Sequence, residues 1–283
     1  MPHHFDDLDT ILNSDQLITT DRYLAHCSDC ESCRYFKSDL IYRGARWRDS
    51  WQASPLARRA GKDSETAVLG HSDHSITSTD VLALWSFGHR NIWGVNMRAS
   101  QPYAHALPLG LTNFTSESPL HAIFGDPDHL KKAADSTNFL DFFDGSIYSN
   151  FSANTFPKER RPLQQLLDQM GVVNSPTNMT AKGRITYLQN LRSHSLVVCP
   201  RGNGIDTHRL WETLYMGGTP IVLRDRAITP LVSELPVIVL DNWGQLSEKV
   251  KLEGMWHELN NQSFRFEKLT SKFWIEQFCK SNL

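Results

Sequence analysis

A glycine-rich turn between an apolar run and a helical pattern is the first feature that could do chemistry. The turn is Arg201-Gly-Asn-Gly204, and it follows a strand predicted over 195–200. Such a turn presents free backbone N–H groups and the positive end of a helix dipole, which together bind anions, usually phosphate. Arg201 and Arg209 add positive charge, and the planar arginine fork suits phosphate oxygens. The pattern therefore predicts a phosphate-binding site.

The helix predicted after this turn adds a carboxylate to the site. It starts with Asp206 or Thr207 as its N-cap and runs to Met216. Glu212 lies three residues after Arg209, so both side chains occupy one helix face. A carboxylate beside a phosphate site is well explained as the acceptor for the two hydroxyls of a ribose. Two alternatives stay open, an ordinary Arg209–Glu212 salt bridge and an Asp206 that serves only as a cap.

Composition, charge and missing motifs exclude several functions. The 283 residues include 29 Lys and Arg against 31 Asp and Glu, so there is no basic excess to neutralise a nucleic-acid backbone. No apolar run approaches the roughly 20 residues that span a bilayer, and the N-terminus lacks a signal-peptide pattern. The turn matches neither G-x-G-x-x-G nor G-x-x-x-x-G-K-[ST]. We expect a chain without a transmembrane segment, located in the cytoplasm, that does not bind nucleic acid.

A second cluster of polar side chains could supply a general base. His71-Ser-Asp-His74 directly follows a strand predicted over Thr66–Gly70, and ligands bind at the carboxyl ends of strands in open α/β sheets. Asp73 is the first candidate for the base, with His71 or His74 orienting it or taking its place. The alternative is a polar turn that caps the next helix.

Three of the five cysteines lie close together, as Cys27, Cys30 and Cys33. Their two-residue spacing allows neighbouring thiolates to bind one metal ion, but a structural zinc site needs four ligands. His26, His3 or His4 could supply the fourth ligand. The favoured interpretation is a surface turn with reduced thiols, since the odd number of cysteines argues against a complete disulfide framework.

The first half of the chain reads as an α/β layer. Residues 1–60 are polar and irregular in pattern. After the strand at Thr66–Gly70, Thr77 and Asp80 form a capping-box pattern for a helix that ends at Gly88. Further extended segments are predicted over 91–96 and 106–110, and a loop-rich linker over 113–145.

The second half reads as a second α/β unit. Strands are predicted over 145–152, 195–200, 219–223 and 236–240, and helices over 158–170, up to 191, from 207 to 216 and over 264–278. Gly217 ends the third of these helices as a C′ glycine. We therefore expect two Rossmann-like domains, over 1–140 and 141–283, with the last helix packing back on the first domain.

The segment from Ser195 to Val222 resembles the donor-binding segment of exostosin-like glycosyltransferases. That family's pattern is a strand, then Cys-Pro-Arg-Gly, an Arg and a Glu on the next helix, then Gly and Pro-Ile-Val. Asn150, Ser152 and Arg160 are similar to the first strand and basic helix of the same domain. Asn96 and the Leu107–Leu111 segment resemble the closing part of its N-terminal domain.

The resemblance implies a GT-B fold, with two Rossmann-like domains facing an inter-domain cleft. It implies that 1–140 is the acceptor-side domain and that 141–283 is the donor-binding domain. It implies transfer of a sugar from a nucleotide-diphosphate donor, with a UDP-sugar favoured, to a hydroxyl of a glycan or glycoconjugate, with inversion and without a bound metal. Arg201 and Arg209 would face the diphosphate and Glu212 the ribose. The full set of donor-binding residues expected is Asn150, Ser152, Arg160, Arg201, Gly202, Asn203, Gly204, Asp206, Thr207, Arg209 and Glu212.

Two other classes of function stay open. One is a non-catalytic protein that binds a nucleotide sugar or a carbohydrate in the same donor pocket. The other is a metal-binding interaction module built on Cys27, Cys30 and Cys33.

Overall fold

Two parallel four-stranded sheets form the framework of the molecule, which we describe from a computed structural model. The structure describes residues 5–12, 16–30, 32–37, 66–114, 119–138, 140, 142–176 and 178–280. Helices cover both sheets, so the predicted α/β class is confirmed.

The strands in each sheet follow one another in chain order, and every neighbouring pair is parallel. The first sheet contains β1 (Cys33–Lys37), β2 (Thr66–Gly70), β3 (Asn91–Val95) and β4 (Ala104–Leu107). The second contains β5 (Ile147–Tyr148), β6 (Leu196–Val198), β7 (Pro220–Leu223) and β8 (Ile238–Leu240). Loops that leave the carboxyl ends of these strands therefore gather at one edge of each sheet.

The α-helices of the described residues are numbered α1 to α11 along the chain. They are α1 (Phe5–Leu12), α2 (Thr20–Asp29), α3 (Ser78–Ser86), α4 (Pro119–Phe124), α5 (Pro127–Ser136), α6 (Pro157–Gln169), α7 (Ala181–Arg192), α8 (His208–Tyr215), α9 (Thr229–Val232), α10 (Lys249–Asn260) and α11 (Ser271–Lys280). The same part of the chain contains 3-10 helices at Trp243–Ser247 and Phe266–Leu269.

One hydrophobic core is shared by the two sheets. Val68 of β2 and Val197 of β6 both belong to it, together with residues of α8. Side chains alternate across a strand, so Leu196 and Val198 of β6 point to a separate core on the other face of the second sheet. All of β6 and the first three residues of β7 are buried, which explains why these segments read as continuous apolar runs.

Local signals in the sequence located several element ends correctly. The Asp80 carboxylate accepts hydrogen bonds from the Thr77 backbone N–H (2.8 Å) and hydroxyl (2.6 Å). Thr77 is the N-cap of α3, which starts at Ser78. Gly217 has φ 74° and follows Met216, the C-cap residue of α8. This left-handed conformation costs glycine little, as the predicted C′ position requires.

Three expectations about organisation were wrong. Residues 1–60 are not irregular throughout, because their described part contains α1, α2 and β1. The expected linker over 113–145 contains α4 and α5, and α5 packs on α7. The helix expected over 264–278 is divided, because the 3-10 turn Phe266–Leu269 precedes α11.

The last helix lies against the N-terminal sheet. α11 packs on α2, and the Phe278 ring meets the Tyr23 ring edge-on at 6.3 Å. The Phe278 carbonyl also accepts a hydrogen bond from the Asn91 side chain of β3.

Candidate functional site

A cavity of about 290 Å³ opens where loops from the carboxyl ends of both sheets meet. The loops after β2, β4, β5 and β6 contribute to its wall, together with α4, α6, α7 and the first turn of α8. Its lining residues are Asp73, Leu109, Thr112, Phe124, Asn150, Thr155, Arg160, Tyr187, Gly202, Asn203, Gly204, Asp206, Thr207, His208, Arg209 and Glu212. Most of the residues predicted from the sequence to bind the donor are thus brought together here.

Asn96 clamps the glycine-rich turn to the first sheet. Its side-chain Oδ1 accepts hydrogen bonds from the backbone N–H groups of Ile205 and Asp206, both at 2.8 Å. Its Nδ2 donates to the Ser72 carbonyl. A Cβ on Gly204 would lie 2.9 Å from the Asn96 Nδ2, so only glycine allows this close approach.

Arg209 brings a half-buried cation to the cavity wall. Its Nε is buried without a hydrogen-bond acceptor, and no carboxylate in the described part of the chain forms an ion pair with it. The side chain belongs to the first turn of α8, whose dipole also favours an anion. A buried donor without an acceptor is costly, so this corner of the cavity is suited to an anionic ligand that accepts from the Arg209 Nε–H.

Arg160 lines the same cavity but is already engaged with the backbone. Its guanidinium donates to the carbonyls of Ser152, Pro200 and Arg201, and it is only 6% exposed. Burial and the nearby charge of Arg209 lower the pKa of Arg160 to about 10. Arg160 thus shapes the turn after β6 and adds positive potential beside Arg209.

Arg201 points to a different place from the one expected. It lines a neighbouring cavity of about 120 Å³ together with Glu159 and Arg224. Its guanidinium lies 4.0 Å from the centroid of the Phe156 ring and donates to the Asn203 carbonyl. The turn residues Gly202, Asn203 and Gly204 border the main cavity, whereas the Arg201 side chain lies on the turn's other side.

Glu212 is held by partners that the sequence did not suggest. Its Oε1 lies 2.7 Å from the Arg184 guanidinium, and its Oε2 accepts a 2.7 Å hydrogen bond from the Tyr187 hydroxyl. Burial is the largest single influence and works against ionisation of Glu212. The Arg184 charge, the His208 charge and the hydrogen bonds from Arg184 and Tyr187 together outweigh burial and lower the pKa of Glu212. The ion pair with Arg209 that the sequence left open is absent from the described contacts.

Asp206 joins the turn to the loop after β4. Its carboxylate accepts hydrogen bonds from the Leu109 backbone N–H (2.7 Å) and the Trp211 indole N–H (2.8 Å). The N-cap position of α8 belongs to Thr207, so the alternative that Asp206 serves only as a cap was wrong. Burial raises the pKa of Asp206 to about 7, although these hydrogen bonds oppose the shift.

This raised pKa predicts a dependence of stability on pH. In the unfolded chain the Asp206 carboxyl ionises near pH 4, whereas the folded protein keeps its proton to about pH 7. The contribution of Asp206 to stability is therefore lost as the pH rises through this window. Relative to an Asp206→Asn variant, we expect the wild type to lose up to about 1.4 kcal/mol of unfolding free energy per pH unit.

Urea unfolding of both proteins between about pH 5 and pH 7 measures this difference. A difference between wild type and variant that stays constant with pH would show that Asp206 is ionised throughout.

The side chains of the His71–His74 segment do not all face the cavity. Asp73 is exposed at the cavity mouth, where its Oδ2 lies 3.5 Å from the Asn203 side-chain nitrogen. His71, with φ 55°, turns the other way, and its two ring nitrogens contact the Tyr35 hydroxyl and the Asp21 carboxylate. His74 is exposed and does not line the cavity.

His208 is a cavity residue with a defined tautomer. Its Nδ1–H donates to the Gly110 carbonyl at 2.8 Å, so the neutral ring presents Nε2 as an acceptor. Burial lowers the pKa of His208, against the opposing charges of Glu212 and Asp73. The ring is thus neutral near pH 7 and suited to accept a proton.

Of the remaining predicted donor residues, Asn150 lies at the cavity and Ser152 beside it. The Asn150 side chain donates to the Ser175 carbonyl. The Ser152 hydroxyl accepts from the Asn154 backbone N–H, and Ser152 contributes its carbonyl to Arg160.

Sequence reasoning gave Arg184 and Tyr187 no role and did not find the clamp made by Asn96. The spacing of Arg184 and Tyr187 on α7 is the only local signal that they share a face.

The cysteine cluster lies outside this cavity. Cys27 belongs to α2, Cys30 follows its last turn and Cys33 begins β1. Cys27 and Cys33 are buried, so the expectation of a surface turn was wrong. His26 lies near these thiols, while His3 and His4 lie outside the described residues.

No family model matches this chain, and no curated protein shows significant sequence similarity to it. Within the described residues, the helices are all too short or too polar to cross a bilayer.

Proposed function

We propose that this chain is a glycosyltransferase that moves a sugar from a nucleotide-diphosphate donor to a hydroxyl acceptor. The observation that carries the proposal is Arg209, a half-buried arginine at a helix N-terminus beside a glycine-rich turn. Its buried Nε has no hydrogen-bond acceptor, and its guanidinium has no carboxylate partner in the described residues. A diphosphate supplies the missing negative charge and accepts from backbone N–H groups as well.

The wall near Arg209 suits the rest of a nucleotide donor. A carboxylate has about four acceptor positions, so Glu212 keeps capacity for ribose hydroxyls after binding Arg184 and Tyr187. These two partners also orient the carboxylate before the ligand arrives, which lowers the cost of binding. A UDP-sugar is the donor that we favour.

Sugar transfer requires stabilisation of the leaving diphosphate and removal of a proton from the acceptor hydroxyl. As the bond between the sugar and the diphosphate breaks, Arg209, Arg160 and the α8 N-terminus stabilise the leaving group without a required metal. Asp73 approaches from the first sheet and removes the proton of the acceptor hydroxyl, consistent with inversion. Two Rossmann-like units facing such a cleft correspond to the GT-B arrangement.

A non-catalytic nucleotide-sugar-binding protein is the second candidate. It is favoured by His71, whose ring contacts Tyr35 and Asp21 instead of orienting Asp73. Incubation with a panel of nucleotide sugars separates the two functions, because only the enzyme releases free nucleoside diphosphate. Binding without release, with or without a panel of glycan acceptors, would favour the second candidate.

Arg209→Ala tests the phosphate site directly. We expect the variant to bind UDP about tenfold to hundredfold more weakly, because a charge-assisted contact is lost. Uridine binding should change much less, and Arg161→Ala, an exposed arginine on α6, is the matched control. Calorimetric titration of both ligands measures the effect. Equal weakening of UDP and uridine would contradict a phosphate role for Arg209.

A further inference from the structure

Packing of the C-terminal helix creates a second cluster of reactive side chains, none of which lines the cavity. α11 lies on α2 and brings Cys279 to His26, 253 residues away in sequence. The Cys279 Sγ lies 3.3 Å from the His26 Nε2. Cys33, at the start of β1, completes a group whose three ligand atoms all lie within 4.8 Å of one another.

These separations are close to those around a tetrahedral metal ion. A zinc–sulfur bond is about 2.3 Å long, so two thiolates on one tetrahedral zinc lie about 3.8 Å apart. The largest separation among the three ligand atoms is at most 4.8 Å. It exceeds the tetrahedral distance by about 1 Å or less, so a small rearrangement would allow all three atoms to bind one ion. Burial helps, because Cys33 is fully buried and the other two are half-buried.

Cys30 is the best-placed fourth ligand. It directly follows α2, and its thiol interacts with that of Cys33. It lies beside the group of three, outside the 4.8 Å limit that joins His26, Cys33 and Cys279. The Cys30-x-x-Cys33 spacing allows both thiolates to bind one ion. Cys27 interacts with Cys33 but lies one helix turn earlier, within α2.

We propose that His26, Cys30, Cys33 and Cys279 bind a structural Zn²⁺ ion. Four protein ligands leave no open position, which is typical of structural rather than catalytic zinc. The ion fastens the C-terminal helix to α2 and β1, and its binding free energy contributes to folding. This site is independent of the proposed glycosyltransferase function.

Metal analysis of the purified full chain, without a histidine tag, tests the proposal. We expect about one zinc per chain in the wild type, and a ratio near zero in Cys279→Ala and Cys33→Ala. Cys199→Ala is the matched control, because Cys199 is also a buried thiol but lies at the end of β6, and it should retain its zinc. A chelator should lower the Tm of the wild type.

If the cysteine variants fail to fold, measurements on the wild type alone still test the proposal. Replacement of zinc by Co²⁺ should produce the thiolate-to-cobalt charge-transfer absorption of a cysteine-rich site. A folded wild type without zinc that takes up no Co²⁺ would overturn the proposal. So would an intact mass that shows a disulfide among Cys30, Cys33 and Cys279, or zinc retained equally in all variants.

Discussion

The Asp73→Asn variant is expected to transfer sugar roughly 10²–10⁴ times more slowly than the wild type, the usual contribution of a general base. Its affinity for UDP should stay near the wild-type value, because Asp73 comes from the first sheet and the proposed diphosphate site from the second. Asparagine keeps the shape of the side chain and its contact with Asn203 but cannot accept the proton.

Parallel measurement of transfer rate and UDP affinity, with the acceptor found in the panel, separates catalysis from binding. Asp168→Asn, which removes an exposed carboxylate on α6, is the control. If Asp73→Asn keeps normal transfer while His208→Gln loses it, the base is the His208 Nε2. That imidazole already faces the cavity with its tautomer set by the Gly110 carbonyl.

Arg184→Met should lower the free energy of unfolding by about 3–5 kcal/mol, the usual cost of removing one partner from a buried ion pair. Arg184 is 1% exposed and lies between Glu212 and the rings of Phe124 and Tyr187. Methionine fills part of the space but leaves the Glu212 carboxylate buried without a countercharge.

Urea unfolding of the single variant and of Arg184→Met combined with Glu212→Gln measures the effect. The double variant should recover most of the lost stability, because the amide is neutral and still accepts from the Tyr187 hydroxyl. If the single variant loses less than about 1 kcal/mol of unfolding free energy, the Arg184–Glu212 ion pair contributes no more than a solvent-exposed ion pair does.

Local patterns predicted much of the fold because hydrogen bonding and burial repeat over a few residues. All of β6 and the first three residues of β7 are buried, and the Thr77–Asp80 box and Gly217 act within one turn of their helices. α10 was missed because Leu252 and Trp256 are its only fully buried residues, while Val250 is 85% exposed. α2 carried a usable signal in its Thr19 N-cap and the four-residue spacing of Tyr23 and Cys27.

The sequence predicted which residues surround the candidate site but not which side chains contact one another there. The turn, the cavity position of Arg209 and the strand-end position of Asp73 follow from short-range pattern. The sequence placed Glu212 beside Arg209 on one helix face, and the structure pairs it with Arg184 from another helix. Arg201 stands in the turn as expected, but packing against Phe156 directs its side chain away from the cavity.

By itself the sequence determined the α/β class, the glycine-rich turn and the residue types that surround it, since these depend on contacts within a few positions along the chain. Only the tertiary structure decided which charges meet, through the packing of elements far apart in sequence. It paired Arg184 with Glu212, left Arg209 without a carboxylate in the described residues, and brought Cys279 to His26 and Cys33. Such pairs depend on how whole elements bury their apolar faces, and no local pattern records that choice.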